Sequence, residues 1–115
     1  MGSFRRLVGL LRGQEDQMRT CFVIPEVNAI ADLVRPGELT PNWTITRINV
    51  PAKHRGQGYG SKLLRQILEE ADAEGVTLQL EISPSDGLNY GQLWDWYKRH
   101  GFMRHESGYM RRRPR

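Results

Sequence analysis

Three glycines at alternate positions, Gly56, Gly58 and Gly60, follow Lys53, His54 and Arg55 and lead into a helix-patterned segment that begins near Ser61. Glycine lets successive backbone N–H groups converge with no Cβ in the way, and the first N–H groups of a helix have no intrahelical partner. A turn of this kind entered from a strand is an anion cradle, and phosphate is the group that fits it. The plain alternative is a turn that only joins strand to helix. The charges of the segment Ser61 to Glu74 favour the cradle. Lys62 and Arg65 stand near its start while Glu69, Glu70, Asp72 and Glu74 crowd its end, the reverse of what a helix dipole prefers. Each misplaced charge costs an isolated helix roughly 0.3–1 kcal/mol. Packing of Leu63, Leu64, Ile67, Leu68 and Ala71, an anion at the helix start, or both must therefore hold it.

Spacing narrows the phosphate ligand. A P-loop needs a lysine between its last glycine and the Ser or Thr, and here Ser61 follows Gly60 directly. A dinucleotide fingerprint needs Gly-x-Gly-x-x-Gly and an acid about 20 residues on. The third glycine here comes one position early, although Glu81 at the end of the next apolar run keeps that reading open.

Val50-Pro51 followed by Arg55-x-x-Gly58-x-Gly60 resembles the acyl-CoA-binding motif of the GCN5-related N-acetyltransferases, Arg/Gln-x-x-Gly-x-Gly/Ala at a strand-to-helix turn. Leu78-Gln79-Leu80-Glu81-Ile82 is similar to that family's next strand. Trp96-Tyr97-Lys98-Arg99-His100-Gly101-Phe102 is similar to its Leu-Tyr-x-x-x-Gly-Phe signature. The resemblance covers residues 43 to 113. It implies acetyl-CoA as acyl donor, with Ile48, Asn49 and Val50 along its pantetheine arm and Arg55, Gly56, Gln57, Gly58, Tyr59, Gly60 and Ser61 around its pyrophosphate. It also implies direct attack by an amine without an acyl-enzyme, and Tyr97 as the general acid toward the departing thiolate.

Glu81 is the candidate base. Leu78, Leu80 and Ile82 share one face of a strand and Gln79 and Glu81 the other, near the carboxyl end where ligands of such sheets bind. The structural alternative is a surface or salt-bridged carboxylate; for Tyr97 it is an aromatic packing residue beside Trp94 and Trp96. The resemblance leaves the acceptor open. The elements that select it lie in the N-terminal part, which is short here, so either a large acceptor such as a protein or a homodimer supplies the missing wall.

These residues must be positioned by a mixed α/β domain: a short N-terminal region, residues 1–42, and an acyl-CoA-binding core, residues 43–113. Phe4, Leu7, Val8, Leu10 and Leu11 suggest an amphipathic first helix ended near Gly13, Gln14 to Gln17 a polar loop, and Met18–Ile24 a strand stopped by Pro25. Asn28–Leu33 reads as a short helical turn. Trp43–Val50 alternates poorly but is rich in β-branched residues and reads as a strand. A helix from about Gly58 to Glu74 stops at Gly75, and Val76–Ser83 follows as a strand, so the two strands should be parallel neighbours with a right-handed crossover. A last helix from about Tyr90 to His100, with Asn89 as its N-cap, leads to a closing hairpin of Phe102–His105 and Tyr109–Arg113.

At 115 residues, 38% hydrophobic and 26% charged, the chain suffices for one core and not two. It has no stretch near the ~20 apolar residues of a membrane span, and the single Cys21 excludes an internal disulfide. Both fit a reducing, cytoplasmic compartment. Cys21 reads as a small core residue, and the three histidines show no metal-ligand spacing. The net charge of +4 resides in residues 104–115, with five arginines against Glu106. That tail leaves a rival: a non-catalytic acyl-CoA-binding module, or one that contacts nucleic acid through its arginines. The three tryptophans are not interleaved with basic residues as a single-strand-binding platform would require, so nucleic acid is the weaker expectation.

Overall fold

The computed structural model describes residues 5–11, 14–35, 42–84, 87–105 and 108–115, with side chains from Arg19 onward. Seven strands form one sheet: β1 Arg5–Leu11, β2 Gln14–Ile24, β3 Ala29–Arg35, β4 Trp43–Asn49, β5 Leu78–Glu81, β6 Met103–Arg104 and β7 Tyr109–Arg112. Their order is β1-β2-β3-β4-β5-β7-β6. Every neighbouring pair is antiparallel except β4 and β5. Helix α1, Tyr59–Glu74, links those two, and α2, Tyr90–Arg99, precedes the closing hairpin.

The strand expected over Met18–Ile24 and stopped at Pro25 is the second half of β2, but the rest of the N-terminal third departs from its sequence reading. The expected first helix is strand β1, paired with β2 from Arg5↔Val23 to Leu10↔Met18. Gly9 in its middle weakens a helix and a strand alike, so the ladder that the long partner strand offers decides the outcome. The expected polar loop at Gln14–Gln17 is the start of β2, since only residues 12–13 separate the strands. The helical turn expected over Asn28–Leu33 falls earlier, as a 3-10 turn at Pro25–Val27 that Asn28 ends at φ 56°. Proline suits the first position of such a turn, and asparagine tolerates the left-handed conformation. Ala29 then begins β3.

The poor alternation of Trp43–Val50 has a structural cause. Register slips between Asp32 and Leu33, so Leu33 faces Ile45 but Asp32 faces Arg47. Thr46 is the extra residue of a β-bulge, which exchanges the faces of everything after it. Trp43 and Ile45 before the bulge therefore point the same way as Ile48 and Val50 beyond it.

That face holds the core. Phe22, Ile24, Ala31, Leu33, Leu78, Leu80 and Met110 meet α1 through Leu63, Leu64, Ile67 and Ala71, all essentially buried. Burying a Leu or Ile yields about 1.5–3 kcal/mol, so the apolar stripe of α1 outweighs its inverted charges. Two of those charges are also answered locally: Glu70 accepts from Arg35 at 3.1 Å, and Asp72 takes Arg112 at 2.7 and 3.1 Å. Gly75, at φ 69°, closes the helix as expected, its N–H on Asp72 O and that of Val76 on Ala71 O. Helix α2 lies on the same side, since the Arg104 guanidinium stacks over Trp94 and Arg112 Nε reaches His100 O. Both α-helices thus cover one face of the sheet.

Candidate active site

β4 and β5 are paired only at Trp43↔Leu78 and Thr44↔Gln79. A side-chain bond, Gln79 Nε2 to Thr44 Oγ1 at 3.0 Å, reinforces that last rung. Beyond it the strands part, and the bulge at Thr46 sits at the point of divergence. The gap opens into a cleft of about 660 Å³, within the range of ligand pockets.

One end of the cleft is the glycine turn. Gly56 and Gly58 hold φ 77° and 86° and an added Cβ at either meets nothing within 4 Å, so both positions need glycine for conformation and leave open space above the backbone. Gly58 is the N-cap of α1 and offers no capping side chain; the first intrahelical bond is Lys62 N to Gly58 O at 3.0 Å. The N–H groups at the start of α1 thus face the cleft without a side-chain acceptor, which fits a phosphate. Gly60 differs: it lies within the first turn of α1, where an added Cβ would meet Trp96 and Val50 at 3.7 Å. Arg55 is a brace, its Nε bonded to Val50 O at 2.9 Å.

The wall opposite β4 comes from α2, whose start is fixed by a capping box between Asn89 and Gln92 at 2.9 Å in each direction. Trp96 Nε1 donates to Ser61 Oγ at 3.1 Å, tying this wall to the start of α1. Tyr97 lines the cleft although only 8% exposed, its ring against Trp96 at 4.8 Å and Phe102 at 5.5 Å. Its packing role and its place in the cleft therefore coexist. Glu81 is exposed on the other flank and also lines the cleft. Ile48, Asn49, Val50, Arg55, Gly56, Gly58, Tyr59, Gly60 and Ser61 do so as well; Gln57 is exposed and does not.

Sequence reasoning missed Thr46 and Arg47, which line the far end of the cleft. It also placed Cys21 in the core. The thiol is instead half-buried on the sheet face away from the helices, its Sγ donating to Asp32 Oδ1 at 2.8 Å. Burial and then that bond push the thiol above its ordinary value, which keeps it from nucleophilic duty. Asp32 is 2% exposed and receives Arg19 Nη2 at 2.8 Å and Arg47 Nε at 2.9 Å. Burial pushes this carboxyl up, but the bonds from Cys21 and Arg19 and the charge of Arg47 outweigh it and hold it below the usual carboxylate range. The mid-strand arginine Arg47 was the available sequence signal.

Among the described residues no group of three or more His, Cys, Asp or Glu side chains could hold a metal ion. No helix among them is long and apolar enough to cross a membrane.

Solved structures share this fold. The anti-CRISPR protein AcrVA5 superposes with a TM-score of 0.60 at 19% identity, covering 92% of this chain and 96% of that one. The ribosomal-protein-S18-alanine N-acetyltransferase from Escherichia coli gives 0.61 at 23%, covering 86% and 70%. The PaiA N-acetyltransferase from Thermoplasma acidophilum, solved in complex with coenzyme A, gives 0.61 at 12%, covering 85% and 61%. No curated protein matches the sequence. The model of the acetyltransferase (GNAT) domain matches residues 17–104, from β2 through β6 and across the whole cleft. With the glycine turn, the strand Leu78–Glu81 and the Tyr97 helix in their expected order, the chain belongs to the GNAT acetyltransferase family.

Proposed function

We propose that this protein is an acetyl-CoA-dependent N-acetyltransferase that passes the acetyl group directly to an amine, with residues 43–113 as the cofactor-binding core of a single domain. The observation that carries the reading is the parting of β4 and β5. It puts an anion cradle, an exposed carboxylate and a buried phenol on one cleft. Acetyl-CoA supplies the activated acyl group, its pyrophosphate at the Gly56–Ser61 turn and its pantetheine arm along Ile48–Val50.

Transfer from a thioester to an amine requires that the amine lose a proton and that the leaving thiolate gain one. Glu81 stands where it can take a proton from the incoming amine through water. Tyr97 stands on the opposite wall, where its hydroxyl can hydrogen-bond the sulfur. A phenol of pKa about 10 is not strongly driven to protonate a thiolate whose acid has pKa about 8.5, so the gain lies in a hydrogen bond that strengthens as charge develops. The solved CoA complex of PaiA, of the same fold, supports the donor class.

The rival reading, nucleic-acid contact through the arginine-rich tail, is disfavoured by Arg112. Its guanidinium is 5% exposed and committed to Asp72, so the tail is partly structural. Calorimetric titration at two salt concentrations separates the readings. Acetyl-CoA should bind with little salt dependence, whereas nucleic-acid contact weakens steeply as salt rises. Absence of acetyl-CoA binding would remove the proposal.

A further inference from the structure

The cleft has a second charged end. Arg47 lines it opposite the glycine turn, three residues and about 10 Å of extended backbone before Val50. Its Nε and Nη2 both lie 2.9 Å from Asp32 Oδ2. Its Nη1 makes no hydrogen bond among the described residues. Asp32 in turn receives Arg19 and the Cys21 thiol, so among the described residues one buried carboxylate is shared by two arginines. A single arginine would neutralise Asp32. Burying a carboxylate is costly, and the two bonds to its Oδ2 fix the arginine on the cleft wall. Arg19 shares the carboxylate without lining the cleft.

This cluster sits on the face of the sheet that neither α-helix covers, together with Gln79 and Glu81. An acceptor can therefore approach over an open surface, which suits an extended polypeptide better than an enclosed small molecule. Its amine would meet Glu81 and its neighbouring group Arg47. We propose that the acceptor is a polypeptide with an Asp or Glu beside the modified amine, whose carboxylate is held by the free edge of the Arg47 guanidinium, with Asp32 as the positioning residue. The inference rests on the acyltransferase reading above.

The test is a pair of peptides that differ only in Glu or Gln beside the amine, assayed with acetyl-CoA in the full-length protein. A charge-assisted contact at a half-exposed arginine should give the Glu peptide about a tenfold lower KM at low salt, shrinking as salt rises. Arg47→Gln should erase the discrimination and Arg47→Lys restore part of it. Asp32→Asn should weaken it through loss of positioning, while Arg19→Gln should leave it in place. Equal KM values for the two peptides in the wild type, or discrimination that survives Arg47→Gln in a folded protein, overturns the inference and leaves the acyltransferase reading intact. Bound acetyl-CoA with no transfer to either peptide or to any other amine overturns both.

Discussion

Gly58 and Gly60 are two residues apart in one motif, yet alanine should act on them in opposite directions. Gly58 holds φ 86° and an added Cβ meets nothing within 4 Å, so the cost of Gly58→Ala is conformational: roughly 1–2 kcal/mol for an L residue kept in the left-handed region. That cost can be taken in two ways. If the turn keeps its shape, the unfolding free energy falls by about 1–2 kcal/mol. If the chain relaxes instead, the N–H groups at the start of α1 swing off the cradle and CoA affinity falls by the equivalent factor, about 5- to 30-fold. Gly60 sits inside the first turn of α1, where an added Cβ would meet Trp96 and Val50 at 3.7 and 3.8 Å, ordinary contact distances. Gly60→Ala should fit and should recover up to about 1 kcal/mol of helix propensity. Urea denaturation and calorimetric titration with CoA, run on both variants, read the two quantities separately. If Gly58→Ala matches the wild type in both stability and affinity, or if both glycines respond alike, the reasoning about the cradle is wrong.

Other consequences can be checked on the same preparation. Tyr97→Phe keeps the ring that packs on Trp96 and Phe102 and removes the hydroxyl, so kcat should drop by about 10²-fold with little change in KM for acetyl-CoA; an unchanged kcat eliminates the acid role. Glu81→Gln removes the proton acceptor for the amine and should lower kcat/KM by about 10²-fold; an unchanged kcat/KM points to another base. Arg112→Met removes both Arg112 bonds to Asp72, which keeps only the one from Arg115 N at 3.0 Å, and should cost about 1.5–3 kcal/mol at pH 7. The Arg112 bond holds the Asp72 carboxyl below its ordinary value in the folded protein. The stabilisation is therefore present above the ordinary carboxylate pKa and lost as pH falls through the depressed one. Denaturation midpoints of wild type and variant should converge on acidification, and a gap that stays constant refutes the pairing.

The cofactor half was legible in the sequence because its signals are local. Glycines that need positive φ, a C-cap at Gly75, an asparagine N-cap at Asn89 and an apolar stripe on α1 each dictate their structure within a few residues. Of the N-terminal strands only Met18–Ile24, stopped at Pro25, was legible; β1 and β3 were not, for the opposite reason. What makes Arg5–Leu11 a strand is the ladder offered by β2, a partner its own apolar spacing does not announce. The bulge at Thr46 hid the cleft in the same way. It exchanges the faces of β4 halfway, so a sound core strand reads as an irregular one, and Arg47 disappears among residues that look misplaced. The Asp32 cluster needs three strands in register before it exists at all.

If this cleft moves an acyl group, labelled acetyl must pass from acetyl-CoA onto a member of a panel of amines and peptides. Labelled acceptor should form in step with free thiol and only with Tyr97 intact, and no label should stay on the protein. Saturable binding of acetyl-CoA without labelled product on any acceptor would contradict it.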